Sequence, residues 1–325
     1  MRILVTGSKG VIGTCIVPLL EGLGHSVFGI DITHGVGERG WEHELASGKF
    51  NYARCDVSDF RQIERVFEEA GPFDFVYHAG AEFGRWNGED YYEQVWRTNA
   101  IGTKHIIRLQ ERLGFRLIHF SSSEVYGDYE DIMYEDVMGK CAIGQMNDYA
   151  MSKRVNEMQI ANSIVQHNTK TVVIRLFNTY GPGEWYHPYR SVNSKFCYNA
   201  LHNRSITVYR GHYRTSTYLE DTCRTICNIV DNFKAGETYN IGGEEYHSIE
   251  TLADIIWDYT GADRSLIEYK SSEELTTKSK RVDISKAVRD LDHKLTISLE
   301  DGVKKTIDWM IDYYKLEPKL VDIQK

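Results

Sequence analysis

A tyrosine and a lysine four residues apart supply the first candidate chemistry in the sequence. The stretch "DYAMSK" places Tyr149 and Lys153 at the spacing of neighbours on one helix face. A phenol titrates at about 10 and is a poor base at neutral pH unless a nearby cation favours its phenolate. We expect Lys153 to supply that charge, and Ser122, at the end of a preceding strand, to complete a hydrogen-bond relay to a substrate hydroxyl. A Tyr and a Lys also fall four apart by chance, so the pair needs support from other motifs.

A run of hydroxyl and carboxylate side chains follows an apolar, strand-like segment. The run reads "SSSEVYG" and comes directly after "FRLIHF". Gly127 alone can make a turn there. Ser122, Ser123 and Glu124 therefore need a second explanation, and we take them as candidate catalytic residues. The alternative for Glu124 is a solvated turn carboxylate.

A glycine-rich turn near the start of the chain indicates a dinucleotide site. "TGSKGVIG" places Gly7, Gly10 and Gly13 between the first strand and a helix. Such glycines permit a tight bend, close approach of backbone to a pyrophosphate, and close packing of helix on strand. The helix start adds N–H groups for the phosphates. The second strand ends in Asp31, where a carboxylate accepts from the adenosine ribose hydroxyls; the alternative is a glycine turn with an incidental aspartate.

Asp31 also bears on the choice between the two nicotinamide cofactors. Its charge would repel a 2′-phosphate, and none of the six residues that follow is Arg or Lys. We therefore expect NAD rather than NADP. Asp56, after the third strand, suits the adenine amino edge but equally suits the cap of the next helix. Lys9 either adds a charge near the pyrophosphate or points to solvent.

The order of elements predicts the fold class. Strand-like runs alternate with helical patterns from "RILVTG" to "TVVIRLFN", which is typical of a doubly wound parallel α/β sheet whose strand-to-helix turns open on one edge. We expect residues 1–178 to form this Rossmann-type domain, joined by parts of 215–243. Residues 179–325 are expected to form mainly a smaller, mixed α/β substrate lobe.

Composition argues against several classes of partner. The 325 residues carry a formal charge of −9, which argues against nucleic acid or an anionic membrane. The six cysteines are scattered and no histidine cluster accompanies them, so we expect free thiols and no metal site. The chain begins directly as a strand and has no apolar run of membrane-spanning length. A cytoplasmic protein is the expectation.

Together the motifs resemble the extended short-chain dehydrogenase/reductases, the branch of nucleotide-sugar epimerases, dehydratases and decarboxylases. The resemblance rests on "TGSKGVIG", "CDVSD", "VYHAGA", "TNAIGT", "FSSSEVYG", "YAMSK", "RLFNTYGPG", "RTSTYLED" and "YNIGG", which span nearly the whole chain. It implies a tightly held NAD that removes hydride from sugar C4 while Tyr149 takes the C4 hydroxyl proton. The expected cofactor-binding residues are Gly7, Lys9, Gly10, Val11, Ile12, Gly13, Asp31, Asp56, Val57, Ala79, Gly80, Ala81, Asn99, Tyr149 and Lys153.

The resemblance also narrows the role of Glu124. Oxidation at C4 makes the C5 proton acidic, and a carboxylate can then abstract it and set up loss of water across C5 and C6. Glucose 4,6-dehydratases of this family carry an Asp–Glu pair, whereas Ser123–Glu124 looks more like the Ser–Glu of mannose 4,6-dehydratases and uronate decarboxylases. A 4,6-dehydratase is the expected reaction, with a 4-epimerase and a decarboxylase as alternatives. A remote alternative, an NAD-sensing protein without turnover, would not require Ser122, Tyr149 and Lys153.

Several substrate contacts are implied by the same resemblance. Asn178 and Arg214 would lie along the nucleotide-sugar, and Asn99 would hold the helix of the catalytic tyrosine through backbone contacts. Lys280 and Arg281, in "KRVD", resemble the basic residues of the family that contact phosphate near the C-terminus.

Two further arginines lie in polar segments after predicted strands. Arg85 belongs to "EFGRW" and Arg190 to "YHPYRS". Arginine suits bidentate recognition of a phosphate or a carboxylate, so either residue could read a sugar carboxylate or the phosphates of the nucleotide. Surface charges are the alternative.

The helix that carries the Tyr–Lys pair predicts a homodimer. It has more apolar positions than one stripe against the sheet requires. These are Val155, Met158, Ile160, Ala161, Ile164 and Val165. The resemblance implies that this helix and the one around "IGTKHIIRLQERL" pair with their copies as a four-helix bundle across a two-fold axis.

Overall fold

A parallel sheet of seven strands forms the centre of the computed structural model, which describes residues 1–33 and 51–316. The strand order is β11-β6-β5-β4-β1-β2-β3, the order of a doubly wound dinucleotide-binding sheet with one added edge strand. The predicted fold class is confirmed. The sheet strands are β1 Arg2–Thr6, β2 Ser26–Asp31, β3 Tyr52–Arg54, β4 Phe75–His78, β5 Arg116–Ser122, β6 Thr171–Leu176 and β11 Thr238–Ile241.

The other strands of the described residues form two-stranded ladders. β10 pairs with β7 and β13 with β8 in parallel, whereas β12 pairs with β9 in the antiparallel sense. Their bounds are β7 Thr179–Tyr180, β8 Ile206–Tyr209, β9 Tyr213–Thr215, β10 Thr217–Tyr218, β12 Tyr246–Ser248 and β13 Ile267–Lys270.

Helices cover both faces of the sheet because side chains alternate along each strand. Ile3 and Val5 of β1 belong to an apolar core cluster that also contains side chains of the helix Val11–Gly22. Leu4 belongs to a second cluster, which contains side chains of the helix Gly102–Leu113. The α-helices of the described residues are Val11–Gly22, Phe60–Ala70, Arg85–Asp90, Tyr92–Val95, Gly102–Leu113, Val137–Lys140, Asp148–His167, Val192–Leu201, Leu219–Cys227, Ile249–Thr260, Ser285–Leu291 and Leu299–Tyr314.

The chain returns to the sheet after leaving it. β11, from the second half of the sequence, lies beside β6 with Thr238 opposite Val173. A separate apolar core forms around Trp257, which is 1% exposed, and includes Phe196 and Val303. Within residues 1–33 and 51–316 no helix is long and apolar enough to span a membrane.

Candidate active site

The turn after β1 brings backbone against backbone. Gly7 has a φ of +69°, and a Cβ there would lie 2.8 Å from the Cα of Gly80. A Cβ on Gly13 would lie 2.2 Å from the carbonyl oxygen of Gly7. Side chains at Gly7 and Gly13 are therefore excluded, and the turn presents bare backbone and a helix start, as a pyrophosphate requires.

A cleft of about 470 Å³ opens beside this turn. All the predicted cofactor residues except Asn99 line it. The Asp31 carboxylate accepts hydrogen bonds from the backbone N–H groups of Lys9, at 3.0 Å, and Thr33, at 3.1 Å. These bonds tie the end of β2 to the glycine turn. The Lys9 ammonium lies 4.7 Å from the centroid of the Tyr52 ring.

The cap of the helix after β3 is supplied by Asp59 rather than by Asp56. Asp59 caps the helix Phe60–Ala70, since its carboxylate accepts from the N–H groups of Arg61 and Gln62. Asp56 accepts from the N–H of Ser58 at 2.8 Å and lines the cleft. The helix cap is thus supplied by Asp59, which leaves Asp56 beside the cofactor cleft.

Asn99 lies behind the cleft rather than in its wall. It is 1% exposed and belongs to a π-helical turn, Trp96–Ile101. Its side chain accepts from the Glu82 N–H at 2.8 Å and donates to the Glu82 carbonyl at 3.1 Å and the Ser152 hydroxyl at 3.1 Å. Asn99 therefore links the segment after β4 to the helix Asp148–His167.

Three of the predicted catalytic residues meet where β5 faces that helix. Ser122 ends β5, and its hydroxyl oxygen accepts from the Glu124 N–H at 3.2 Å. The Ser122 hydroxyl also lies close enough to the Tyr149 phenol to lower the pKa of that phenol. Lys153 is 4% exposed, and its ammonium donates to the Phe120 carbonyl at 2.9 Å.

The protonation of Tyr149 differs from the expectation. Burial raises the pKa of Tyr149 to about 12, and nearby Glu124 adds to the rise, while the hydrogen bond with Ser122 opposes it. Burial lowers the pKa of Lys153 to about 8. The Lys153 ammonium lies 5.9 Å from the centroid of the Tyr149 ring and is bonded to Phe120 instead. Ser122, rather than Lys153, is therefore the group that eases loss of the phenolic proton here.

Glu124 is a partly buried carboxylate among cations, with its side chain 17% exposed. It forms an ion pair with Lys280, whose side chain is 4% exposed. Burial works against ionisation of Glu124, but Lys280 and Arg85, with Arg214 beyond them, outweigh it and hold its pKa below the usual range. Burial lowers the pKa of Lys280 to about 8, although Glu124 opposes this shift. At neutral pH the pair is charged.

A second cleft, of about 340 Å³, holds the predicted catalytic residues except Lys153. Arg85, Asn178, Arg190 and Arg214 also line it. Arg85 is paired with Glu273 at 2.9 Å.

Lys280 and Arg281 are placed differently from each other. Lys280 reaches Glu124, whereas Arg281 is exposed and lies 5.7 Å from the centroid of the Tyr246 ring, outside the cleft lining. Lys280 is thus next to the turn that carries Glu124, and the structure does not bring Arg281 to the other predicted residues.

The lining residues of this second cleft that were not predicted from the sequence include Glu184, Lys195 and His212. Burial raises the pKa of Glu184 to about 7, against the effect of Arg190. Burial lowers the pKa of Lys195. His212 is 1% exposed, and its Nδ1 has no partner among the described residues. The acidic residue in the Gly-, Pro- and aromatic-rich stretch "TYGPGEWYHPYRS" was a usable signal for Glu184; the other two had none.

The fold and this site define an NAD-dependent protein of the short-chain dehydrogenase/reductase type. The chain belongs to the NAD dependent epimerase/dehydratase family, whose model matches residues 3–242. NAD is therefore the cofactor, as predicted.

Relatives of this family carry out different reactions. The chain is 30% identical to UDP-glucuronic acid decarboxylase 1 of Danio rerio, over 95% of this chain and 72% of the relative. It is 28% identical to dTDP-glucose 4,6-dehydratase of Salmonella typhimurium, over 96% and 93%. An epimerase structure from Methanothermobacter thermautotrophicus superposes with a TM-score of 0.84 at 25% identity, over 97% and 93%. These relatives support nucleotide-sugar chemistry without selecting one reaction.

Proposed function

We propose that the protein is an NAD-dependent nucleotide-sugar 4,6-dehydratase that works through a 4-keto intermediate. The observation that carries the proposal is the position of Glu124. This ionised carboxylate shares one cleft with Ser122 and Tyr149. A second base beside the oxidation machinery has no use in an enzyme that only removes and returns a hydride at C4.

The first step is oxidation at C4. Bound NAD supplies the hydride acceptor and a positive ring that favours the phenolate. Tyr149 takes the C4 hydroxyl proton, and the Ser122 hydroxyl holds the phenol in place. The Lys153 ammonium donates to the Phe120 carbonyl and so holds its helix in place against β5. Its remaining N–H donors are offered to the nicotinamide ribose.

The second step is elimination across C5 and C6. The 4-keto group makes the C5 proton acidic, and Glu124 accepts it. Ser123 stands where the glucose-type enzymes have an aspartic acid, and a serine hydroxyl is far too weak an acid to replace it. Glu124 therefore also returns the proton to the departing C6 hydroxyl, so that water leaves and the carboxylate is restored. The hydride taken from C4 would then pass to C6, and C5 would receive a proton that balances the one Tyr149 took from the C4 hydroxyl, so that the net change is loss of one water.

A uronate decarboxylase is the second candidate. Arg85 and Arg214 line this cleft and act on the charge of Glu124, and the same two cations would receive a carboxylate at C5 of the sugar. Its first step would be the same, and carbon dioxide rather than water would then leave.

A panel of nucleotide-sugars tests the proposal. Incubation of the NAD-loaded protein with neutral hexose and uronate derivatives of several nucleotides, followed by mass spectrometry, separates the reactions. Loss of one water from a neutral hexose supports the dehydratase. Loss of carbon dioxide from a uronate identifies the decarboxylase, and an unchanged mass with an inverted C4 identifies an epimerase; either result would replace the proposed reaction.

A further inference from the structure

Residues 184–191, which we call the strap, connect the segment after β7 to the helix Val192–Leu201. The first and last residues of the strap, Glu184 and Ser191, are hydrogen-bonded to each other. The carboxylate of Glu184, a residue 5% exposed, accepts from the N–H of Ser191 at 3.3 Å and from its hydroxyl at 2.9 Å. The two ends of the strap are therefore held together.

The strap docks on the segment that follows β4. The Tyr189 hydroxyl donates to the Asp90 carboxylate at 2.6 Å, and its ring centroid lies 6.3 Å from that of Tyr91. A Cβ on Gly84 would lie 2.6 Å from the Tyr189 carbonyl oxygen. The strap thus reaches from the substrate side of the molecule to the wall of the cofactor cleft.

Arg190 lies against two aromatic rings where the strap crosses. Its guanidinium carbon lies 3.9 Å from the centroid of the Phe83 ring and 4.9 Å from that of Trp185. Its Nε is buried and has no hydrogen-bond partner in the described part of the chain. A buried donor without a partner is uncommon in folded proteins, so this N–H is available to an acceptor that the described residues do not supply.

Arg190 also belongs to both clefts. Arg190 and Phe83 line the cofactor cleft and the substrate cleft, as does Tyr149. A guanidinium at this junction can close the end of the cofactor cleft with its face while its edge donates to the second ligand.

We propose that the strap couples the binding of the two ligands. Arg190, held against the rings of Phe83 and Trp185, closes the cofactor cleft and donates to an acceptor oxygen of the nucleotide-sugar. Substrate then holds the strap on its docking segment and slows release of the cofactor. To the extent that substrate also raises the equilibrium affinity for the cofactor, linkage requires the cofactor to raise the affinity for substrate by the same factor, and such factors are typically about 5- to 150-fold. The inference rests on the proposed substrate class but not on the reaction that follows binding.

The test measures release of NADH without turnover. Protein loaded with NADH cannot transfer hydride to a sugar that still carries its C4 hydroxyl. Release is followed by NADH fluorescence, with pyruvate and lactate dehydrogenase oxidising the free NADH. The probes are UDP-glucose, dTDP-glucose, GDP-mannose and UDP-glucuronate, each added to wild type, Arg190→Met and Tyr189→Phe. Tyr189→Phe keeps the ring and removes the bond to Asp90, so it tests docking even if Arg190→Met does not fold.

We expect at least one probe to slow NADH release from wild type about tenfold or more, within the usual range of such coupling. Both variants should lose most of that effect and release NADH faster without a probe. Arg204→Met is the matched control, because Arg204 is exposed and lies 5.3 Å from the Tyr198 ring centroid, away from both clefts.

Two results would overturn the coupling. One is that no probe slows release from wild type; the other is that both strap variants respond as wild type does. If the protein turns over a nucleotide-sugar and yet shows either result, the strap inference fails while the proposed function stands. If a probe slows NADH release but no nucleotide-sugar is converted to product, the strap inference stands while the proposed function fails.

Discussion

Glu124 and Lys280 form an ion pair across 156 residues of sequence. Glu124 belongs to the turn after β5, whereas Lys280 comes from the C-terminal part of the chain, so that part supplies the cation that pairs with this turn. Removing one partner of a buried pair leaves an uncompensated charge and commonly costs about 3–5 kcal/mol. The state of Lys280 therefore controls the state of Glu124.

We predict that the step after C4 oxidation slows as the pH rises through about 8. Burial lowers the pKa of Lys280 to about 8, so above that pH its ammonium is lost and Glu124 keeps only the more distant charges of Arg85 and Arg214. Lys280→Met should lower the rate of this step and remove its alkaline decline. Stopped-flow decay of NADH absorbance, after a fast rise, measures the step.

The rise itself serves as the internal control for this prediction. Burial also lowers the pKa of Lys153 to about 8, but Lys153 acts on oxidation. The pH dependence of the rise should therefore be the same in Lys280→Met and wild type. An alkaline decline of the second step that persists in Lys280→Met would contradict the assignment.

Asp31 should make the protein prefer NAD over NADP by at least about tenfold, or ~1.4 kcal/mol. Its carboxylate lines the cofactor cleft and is held by Lys9 and Thr33, so it would face a 2′-phosphate directly. Calorimetric titration with each cofactor checks the preference. Asp31→Asn keeps the shape without the charge and should narrow the difference. Equal affinity of the wild type for both cofactors would refute this reading.

We predict that buried His78 makes the fold sensitive to acid. Burial, with a smaller effect of Lys153, lowers the pKa of His78 to about 3, whereas an unfolded chain titrates at about 6.5. Between these values the unfolded chain binds more protons, so the free energy of unfolding falls as the pH falls from about 6.5 towards 3. The whole span corresponds to at most ~5 kcal/mol.

Denaturant unfolding at several pH values, with a non-titrating variant, isolates this effect. His78 contacts the hydroxyls of Thr6 at 2.8 Å and Thr103 at 3.0 Å, and His78→Gln keeps a donor and an acceptor there. The variant should lose less stability between pH 7 and pH 5 than wild type. His167→Gln, at a side chain 47% exposed, is the control. A slope unchanged in His78→Gln would contradict the prediction.

Local spacing decided what the sequence could reveal about the site. Gly7 and Gly13 flank a strand-to-helix turn, and Tyr149 and Lys153 share a helix face, so each set is fixed by a few residues of chain. The partner of Glu124 depends on how distant segments pack, which no local pattern encodes.

Two details of the site depended on tertiary packing in the same way. Lys280 is buried and the adjacent Arg281 is exposed, a difference that the dipeptide does not show. The expected effect of Lys153 on Tyr149 failed to appear because β5 offers the Phe120 carbonyl to the ammonium. The sequence thus predicted that Ser122, Glu124 and Tyr149 share one cleft, but not which hydrogen bonds and ion pairs they make.

The helix Asp148–His167 should form a dimer interface. On this helix the side chains of Met158 and Val165 are 58% and 78% exposed. Ile101, which immediately precedes the helix Gly102–Leu113, is 51% exposed. Light scattering at micromolar concentration should give the mass of a dimer. Met158→Lys with Val165→Lys should give a monomer, while Val288→Lys, at a residue 46% exposed on another helix, should not. A monomeric wild type would refute the prediction.

The most direct test of the two-step account is the absorbance of bound NADH in two variants, after mixing with the substrate that the panel identifies. Tyr149→Phe should keep NAD but form no NADH, because the C4 hydroxyl proton has no acceptor. Glu124→Gln should form NADH that persists, because loss of a positioned base costs about 10²–10⁴ in rate. Product formation by Glu124→Gln at the wild-type rate would contradict the central claim that Glu124 performs the step after oxidation.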